Sequence, residues 1–458
     1  MPLPCPSAQA LFDEATQHLA QGQTQRAEIA LRLALAQQAD FGEAHANLAL
    51  LLEQRDATAA ERHYRRALEL QPAHDGIWCN FGALLERCKR YREAEQAYRN
   101  ALALKRDSAV AWSNLGVLLD NLRRDPEAEH CHRTALALAP DWSHAELNLA
   151  LLLLRQGRYE EGWRRFEARD WYRDEAARIG LPRWRGGSPR GLAILVGIDA
   201  GHGDMIQFCR YAAELKRRGA ACVGVLCHPA LKTLLERVDG IDHAIAAGVP
   251  DAALPEVAWD VWCPMLSLPQ LCATRLATIP AALPYIAADA ARVARWAPRL
   301  GARDGALRVG LVWKGNARFA NDAERSLPSL RTLAPLAEVA GVRWYSLQKG
   351  AGEDETAHAP FAIEPLGAEF ADFDDCAAVL AQLDLLISVD TAAAHLAGAM
   401  ARPCWVLLPC HKTDWRWMDE RADSPWYPGA LRLFRQRAHE AWPEVVERVR
   451  AALADATR

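Results

Sequence analysis

No pair among the twelve cysteines forms a C-x-x-C arrangement, and several, such as Cys222, Cys227 and Cys404, sit inside apolar runs that read as strands. They are expected to be reduced packing residues, with neither a disulfide framework nor a zinc site. No uninterrupted apolar stretch approaches the roughly 20 residues that a bilayer requires, so no integral membrane segment is expected. The opening "MPLPCPSAQALFDEA" lacks a basic region followed by an apolar core. The expectation is therefore a soluble, cytoplasmic protein. Excess charge is missing too: a formal net charge of -4 gives no electrostatic argument for nucleic acid or an anionic membrane as the main partner.

What the sequence does contain is length and repetition. At 458 residues it exceeds one typical domain, and two or three cores are expected. Self-comparison of the first third gives a period of about 34 residues. "AWSNLGVLLDNLRRDPEAEHCHRTALALAP", from Ala111, carries Trp112, Leu115, Gly116, Ala128, Ala135 and Pro140 at the spacing of a tetratricopeptide repeat. From Ile77 the pattern is repeated by Trp78, Phe81, Gly82, Ala94, Tyr98 and Ala101, with weaker copies near Ala8, Phe41 and Ser143. About five helix pairs follow. Small residues (Gly82, Ala94, Gly116, Ala128) allow close helix approach, large ones fill the gaps, and stacking buries what one pair alone leaves exposed.

Asn47, Asn80, Asn114 and Asn148 recur at intervals of 33, 34 and 34 residues on the first helix of each repeat. A carboxamide donates and accepts at once, so such a ladder suits the backbone of an extended acceptor peptide. The plainer reading is that Asn is common at this repeat position and simply solvated. Both stay open at this level.

After the repeats the period changes. The stretch "LPRWRGGSPRG" (181–191) concentrates Pro, Gly and Arg and reads as a domain boundary. The expected organisation is a repeat array over 8–172, a linker over 173–190, an α/β half over 191–300, a second over 301–436, and a closing amphipathic helix over 437–458 that returns to the first half. Strands at "LAILVGI" and "CVGVLC" with helices between them make a βαβ unit; a second series begins at "LRVGLVW" and continues through "VRWYSLQ", "LLISVD" and "CWVLLP". The informative loops follow strands, the side on which parallel sheets bind ligands, and a cleft between the halves is expected. "GHGD" is a weak dinucleotide fingerprint, because it lacks the third glycine and the next strand ends in Cys227 and His228 where an acidic residue belongs. The "DFDD" of 372–375 has a D-x-D pattern found at metal-bound sugar nucleotides, but it precedes a helix and reads as its cap.

Taken in order, "GHGDMIQFCRY", "IPAALPYI", "RVGLVWKGN", "ERSLP", "YSLQKG", "LDLLISVDTAAAHLAGAM", "DWRW", "DSPWYP" and "LRLFRQ" give the chain a resemblance from about Gly191 to Gln436. It resembles the lipopolysaccharide heptosyltransferase-like family, in the branch that fuses tetratricopeptide repeats to a GT-B glycosyltransferase module, and is similar to bacterial flagellin glycosyltransferases. The resemblance implies an α-solenoid followed by two Rossmann-like halves with parallel sheets. It also implies metal-independent inverting transfer from a nucleotide-sugar to Ser or Thr of a protein acceptor held by the repeats, flagellin being the suggested one. The nucleotide-sugar is a substrate, and neither a cofactor nor a metal is expected. Transfer to a saccharide or lipid-linked acceptor is an alternative, as is a repeat scaffold without catalysis.

Carried over residue by residue, the family's catalytic aspartate is Asp204, the general base for the acceptor hydroxyl, with His202 beside it in reserve. The donor-binding set comprises Lys314, Gly315, Asn316, Arg325, Ser326, Gln348, Lys349, Asp390, Thr391, Ala392, Ala393 and His395. Lys314, Arg325 and Lys349 would neutralise phosphate, Asn316 and Ser326 would bind its oxygens, and the helix opening after Asp390 and Thr391 would place its N–H groups on the leaving phosphate. The plainer readings are helix caps for Asp204, Asp390 and Thr391 and a core histidine for His395. The tryptophans of "DWRW" and "DSPWYP" read as packing residues.

Overall fold

The computed structural model describes residues 6–248, 257–319, 321–438 and 440–457. The chain divides into two compact units, Met1–Leu149 and Ala150–Arg458. The first is an α-solenoid. Its helix pairs are α1 (Ala8–Ala20) with α2 (Thr24–Gln37), α3 (Gly42–Leu52) with α4 (Ala57–Leu70), α5 (Asp75–Arg87) with α6 (Tyr91–Leu104) and α7 (Ala109–Asn121) with α8 (Asp125–Leu138). The repeat glycines explain the close packing. A Cβ on Gly82 would meet the Tyr98 ring at 2.7 Å, and one on Gly116 would meet the His132 ring at 2.7 Å. Tyr64 and Tyr98 bury their rings and donate their hydroxyls to Glu53 and Glu86. His132 occupies the matching place one repeat on, where burial pushes its pKa down to about 4 and keeps it neutral. Asn114 donates to Cys79 Sγ (3.4 Å) and Asn148 to Ser113 Oγ (3.3 Å), which links successive first helices, while Asn80 is exposed.

Helix α9 (Ser143–Arg155) crosses the division, and α10 (Tyr159–Phe166), expected to close the repeat array, packs within the second unit. Its Tyr159 and Trp163 join Phe208, Trp415 and Trp426 in a buried aromatic cluster. The stretch expected as a linker is likewise ordered. It contains α11 (Arg173–Ile179), and Trp184 and Trp262 exchange backbone bonds with Trp262 and Pro182, so 182–184 lie along a strand edge. Pro and Gly gave this segment a linker's composition, but Arg183 fastens it to Tyr172 and Glu167.

Among the described residues, the second unit holds two all-parallel sheets. The first has the order β3 (His243–Ala246), β2 (Cys222–Cys227), β1 (Ala193–Gly197), β4 (Val261–Pro264). The second has the order β10 (Leu431–Arg435), β9 (Cys404–Leu408), β8 (Leu385–Val389), β5 (Leu307–Val312), β6 (Val342–Ser346), β7 (Glu364–Pro365). β1 and β5 are entirely or almost entirely buried, as expected of strands covered on both faces. In each sheet the chain reverses its direction of travel beside the first strand, with β2 and β4 flanking β1 and β6 and β8 flanking β5. Such switch points leave a crevice at the carboxyl ends. The helices bordering it are α12 (His202–Phe208), after β1, and α19 (Ala392–Ala399), after β8, and these two pack on each other.

The sequence expectation for the closing helix is overturned. The final helix α20 (Trp442–Ala456) packs on the second half, not the first. Its stripe of Val445, Val446, Val449 and Leu453 enters the core with Leu330, Leu333 and Leu336, which sit on the 3-10 turns Leu330–Glu338. An amphipathic period shows that a face is covered but not by what. The D-x-D residues are a cap, as read: Asp372 accepts from the N–H groups of Asp374 and Asp375. Their carboxylates also pair with Arg237, Arg292 and Arg295.

Candidate functional site

The carboxyl ends of β1, β5, β6, β8 and β9 surround a cavity of about 820 Å³. Of the candidate residues, Asp204, His202, Lys314, Gly315, Asn316, Arg325, Gln348, Lys349, Asp390, Thr391, Ala392, Ala393 and His395 all line it. Ser326 does not. Its hydroxyl accepts the Gly315 N–H at 2.8 Å and donates to Asp322 Oδ1 at 3.0 Å, so it shapes the loop without facing a ligand. Asn47, Asn80, Asn114 and Asn148 belong to the solenoid.

One wall is cationic. Lys314 pairs with Glu355 and Arg325 with Asp322, whereas Arg318, Lys349 and Lys412 have no carboxylate partner among the described residues. Lys349 donates to the Ala368 carbonyl, at 3.2 Å. Beside these cations α19 begins. Thr391 gives it no side-chain cap, because its hydroxyl pairs with Ser388 Oγ at 2.9 Å. The first N–H groups of a helix have no partner within it, so a positive dipole end and free donors face the same space. Gly315 is essential to this wall: a Cβ there would lie 2.5 Å from Asp322 Oδ1 and 2.6 Å from Arg325 Nη2. Both are ends of mobile side chains, so Gly315→Ala should displace Arg325 and spare the backbone. The expected result is a loss of affinity for an anionic probe, inorganic pyrophosphate, of about tenfold, the scale of one charge-assisted bond. Calorimetric titration checks it, and Arg325→Ala added to Gly315→Ala should give no further loss.

Gln348 plays another part than that expected of a donor ligand. Its Oε1 accepts the N–H groups of Trp313 (2.9 Å) and Lys314 (3.0 Å), and its Nε2 donates to the carbonyls of Lys314 (3.0 Å) and Ala351 (2.9 Å). The buried carboxamide is fully used in strapping two loops together. Asn316 accepts the Arg318 N–H, which turns its loop.

Acidic groups line the same cavity beside the start of α19, where a Cβ on Gly203 would come within 3.5 Å of Ala392 Cα. Asp204, on the first turn of α12, accepts the Gly201 N–H through Oδ2 (3.0 Å) and pairs through Oδ1 with Arg416 Nη2 (2.5 Å). The N-cap of α12 is thus Gly201 and not Asp204 as the plainer reading had it; Asp204 bonds back to it from the third helical position and also lines the cavity. Arg416 lies 3.2 Å from Asp414. Burial opposes its charge, but Asp414, Asp204 and Asp390 together hold its pKa above the usual value. Burial also raises the Asp414 carboxyl, against the pull of Arg416. For Asp390 burial is outweighed by His395, Arg416 and Trp417, which hold it below the usual carboxylate range.

His395 is a core histidine that borders the cavity. It is 2 % exposed, its Nδ1 shares a hydrogen bond with the Tyr427 hydroxyl (2.8 Å), and its ring stacks on Trp417. Gly203 passes directly over it, since a Cβ there would meet His395 Cδ2 at 2.9 Å. The His202 ring lies tilted against those of His228 and Phe373, with centroids 4.5 and 5.2 Å away, and burial, helped by His228, pushes its pKa down to about 4. It is neutral near pH 7. Sequence reading singled out neither Lys412 nor Arg416. "DWRW" drew notice for its tryptophans and aspartate, and these tryptophans, with Trp426, are indeed buried. Asp199, ahead of "GHGD", is a buried structural carboxylate bonded to Arg169 and the Leu266 N–H.

Among the described residues no helix is long and apolar enough to cross a membrane. Comparison with known proteins matches residues 76–108 to the tetratricopeptide repeat. The chain is 30% identical over 328 residues to Protein FlbA of Caulobacter vibrioides. That alignment takes in 66% of this chain and 54% of FlbA, so the chain spans about half the length of the curated relative it matches. Among solved structures it is similar to PilF of Pseudomonas aeruginosa (25% identity, TM-score 0.33, 35% of this chain and 74% of that one). It is also similar to the type IV pilus biogenesis factor PilW (19% identity, TM-score 0.34, 38% and 79%). The chain therefore carries tetratricopeptide repeats followed by a two-half parallel α/β unit.

Proposed function

We propose that the α/β unit is a GT-B glycosyltransferase module that moves a sugar from a nucleotide-sugar to a Ser or Thr hydroxyl of a protein held by the repeats. The observation that carries this reading is that Arg318, Lys349 and Lys412, without a carboxylate partner among the described residues, and the uncapped start of α19 line one cavity together with Asp204. A departing phosphate gains negative charge as the bond to the sugar breaks, and preorganised donors then stabilise it more than they stabilise the ground state. Asp204 takes the acceptor proton while the acceptor oxygen bonds to the anomeric carbon. The phosphate leaves from the opposite face with the bonding electron pair, giving inversion.

The acceptor side of the proposal rests on the repeats, whose stacked helices suit protein partners, with flagellin suggested by the sequence resemblance. Calorimetry with uridine, guanosine and adenosine diphosphates tests the donor side. One of them should bind, and Lys349→Glu with Lys412→Glu should weaken it by about 10²-fold or more, the effect of reversing two phosphate-facing charges. Equal affinity after the reversal would remove this wall from donor recognition.

A further inference from the structure

Arg416 has a position that the proposed chemistry leaves unexplained. It follows β9 in the second half, is 9% exposed, and reaches across to Asp204 Oδ1, which belongs to the first half. Its other close partner is Asp414, whose carboxylate also accepts the Arg416 backbone N–H at 3.0 Å, so the arginine is held at both ends. Asp390 stands near enough to contribute to its charge balance. One guanidinium thus serves three carboxylates, only one of which comes from the first half. Without it, Asp204 would face Asp390 and Asp414 with like charge and no cation between them.

We propose that Arg416 is a positioning residue that fixes the Asp204 carboxylate of the first half in the orientation in which it takes the acceptor proton. This rests on the glycosyl-transfer reading. The Asp204 oxygens offer about four lone-pair directions. Gly201 N–H and Arg416 occupy one on each oxygen, which locks the rotation of the group and leaves the others for the acceptor hydroxyl. A planar guanidinium donates an oriented hydrogen bond to Asp204 while its Nε lies 3.2 Å from Asp414 as an ion pair, whereas an ammonium engages both as a point charge. The arrangement also makes the base dependent on cleft closure: if the halves separate, Asp204 loses its anchor.

Three variants of the full chain test this. Arg416→Gln should lower kcat for transfer by about 10²-fold with donor KM changed less than about threefold, since the residue acts on the proton acceptor. Arg416→Lys should recover part of the loss. In an Asp204→Asn background, Arg416→Gln should cost nothing more, because the group it positions no longer takes a proton. An equal cost in both backgrounds would overturn the proposal. A readout free of turnover is amide exchange at Gly201, whose N–H is held by the same carboxylate. It should exchange about tenfold faster in Arg416→Gln, as expected when a local hydrogen bond is released. Unchanged Gly201 protection would defeat the proposal whatever the chain's activity. Faster exchange in a protein that uses no nucleotide-sugar would keep the anchor and discard the reaction.

Discussion

Under the proposed reaction, Asp204→Asn is expected to lower sugar transfer by about 10²–10⁴-fold, the range of a lost general base, while nucleoside-diphosphate affinity stays within about twofold. The two effects separate because Asp204 sits on α12 of the first half, whereas the cationic wall and the start of α19 belong to the second. The amide is nearly isosteric with the carboxylate, and its oxygen can still accept the Gly201 N–H, so the turn is retained. What it lacks is a basic site for the acceptor proton and a charge for Arg416. Steady-state rates paired with calorimetry measure both quantities. Turnover unchanged in Asp204→Asn would move the base elsewhere in the cluster, and Asp414 would be the next residue to replace.

The second large effect is on stability and site order together. Gln348→Ala removes four hydrogen bonds at a buried position and strands the N–H groups of Trp313 and Lys314 with the carbonyls of Lys314 and Ala351. Each stranded buried group costs about 1–3 kcal/mol, and partial access of water brings the expected total to about 3–5 kcal/mol. The lost strap holds the loop that bears Lys314, Gly315 and Asn316 against the one that bears Lys349. Denaturant unfolding should therefore show a lower midpoint, and nucleoside-diphosphate binding should weaken in the same variant. Lys349→Ala provides the contrast, since its exposed ammonium contacts a single carbonyl, and it should weaken binding without moving the unfolding midpoint. An unshifted midpoint in Gln348→Ala would mean that the strap is dispensable.

Much of the architecture was legible because its signals are periodic. The 34-residue recurrence of Gly82 and Gly116 against Tyr98 and His132 reads directly as close helix pairs. Short aliphatic runs ending in polar loops read as buried parallel strands. Boundaries were harder. Trp184 and Arg183 bind the supposed linker to the sheet, and α10 follows the repeat pattern while burying Tyr159 and Trp163 in the second unit. Local composition records what a segment is made of, and its docking partner lies far away in sequence. The same limit explains α20, whose apolar stripe was evident but whose contact with Leu330 and Leu333 depends on three-dimensional placement.

Site residues divide along the same line. Loops after strands directed attention to Asp204, Lys314 and Asp390, and the fold brings them to one cavity. Roles set by hydrogen bonding were not legible. Gln348 and Ser326 have the polar groups of ligands, but Gln348 uses them on the backbone and Ser326 on the Gly315 N–H and the Asp322 carboxylate. Arg416 lay hidden between two tryptophans in "DWRW", and only the 2.5 Å contact with Asp204 across the halves reveals it.

The central claim is that this cleft transfers a sugar to a protein, and the most direct measurement is intact-mass spectrometry of a reconstituted reaction. Purified full-length chain would be incubated with flagellin from the source organism and a panel of uridine, guanosine, adenosine and cytidine nucleotide-sugars. At least one donor should add the mass of a sugar residue to flagellin, and Asp204→Asn should abolish the addition. Unmodified flagellin with every donor, together with no nucleotide binding by the chain, would contradict the account.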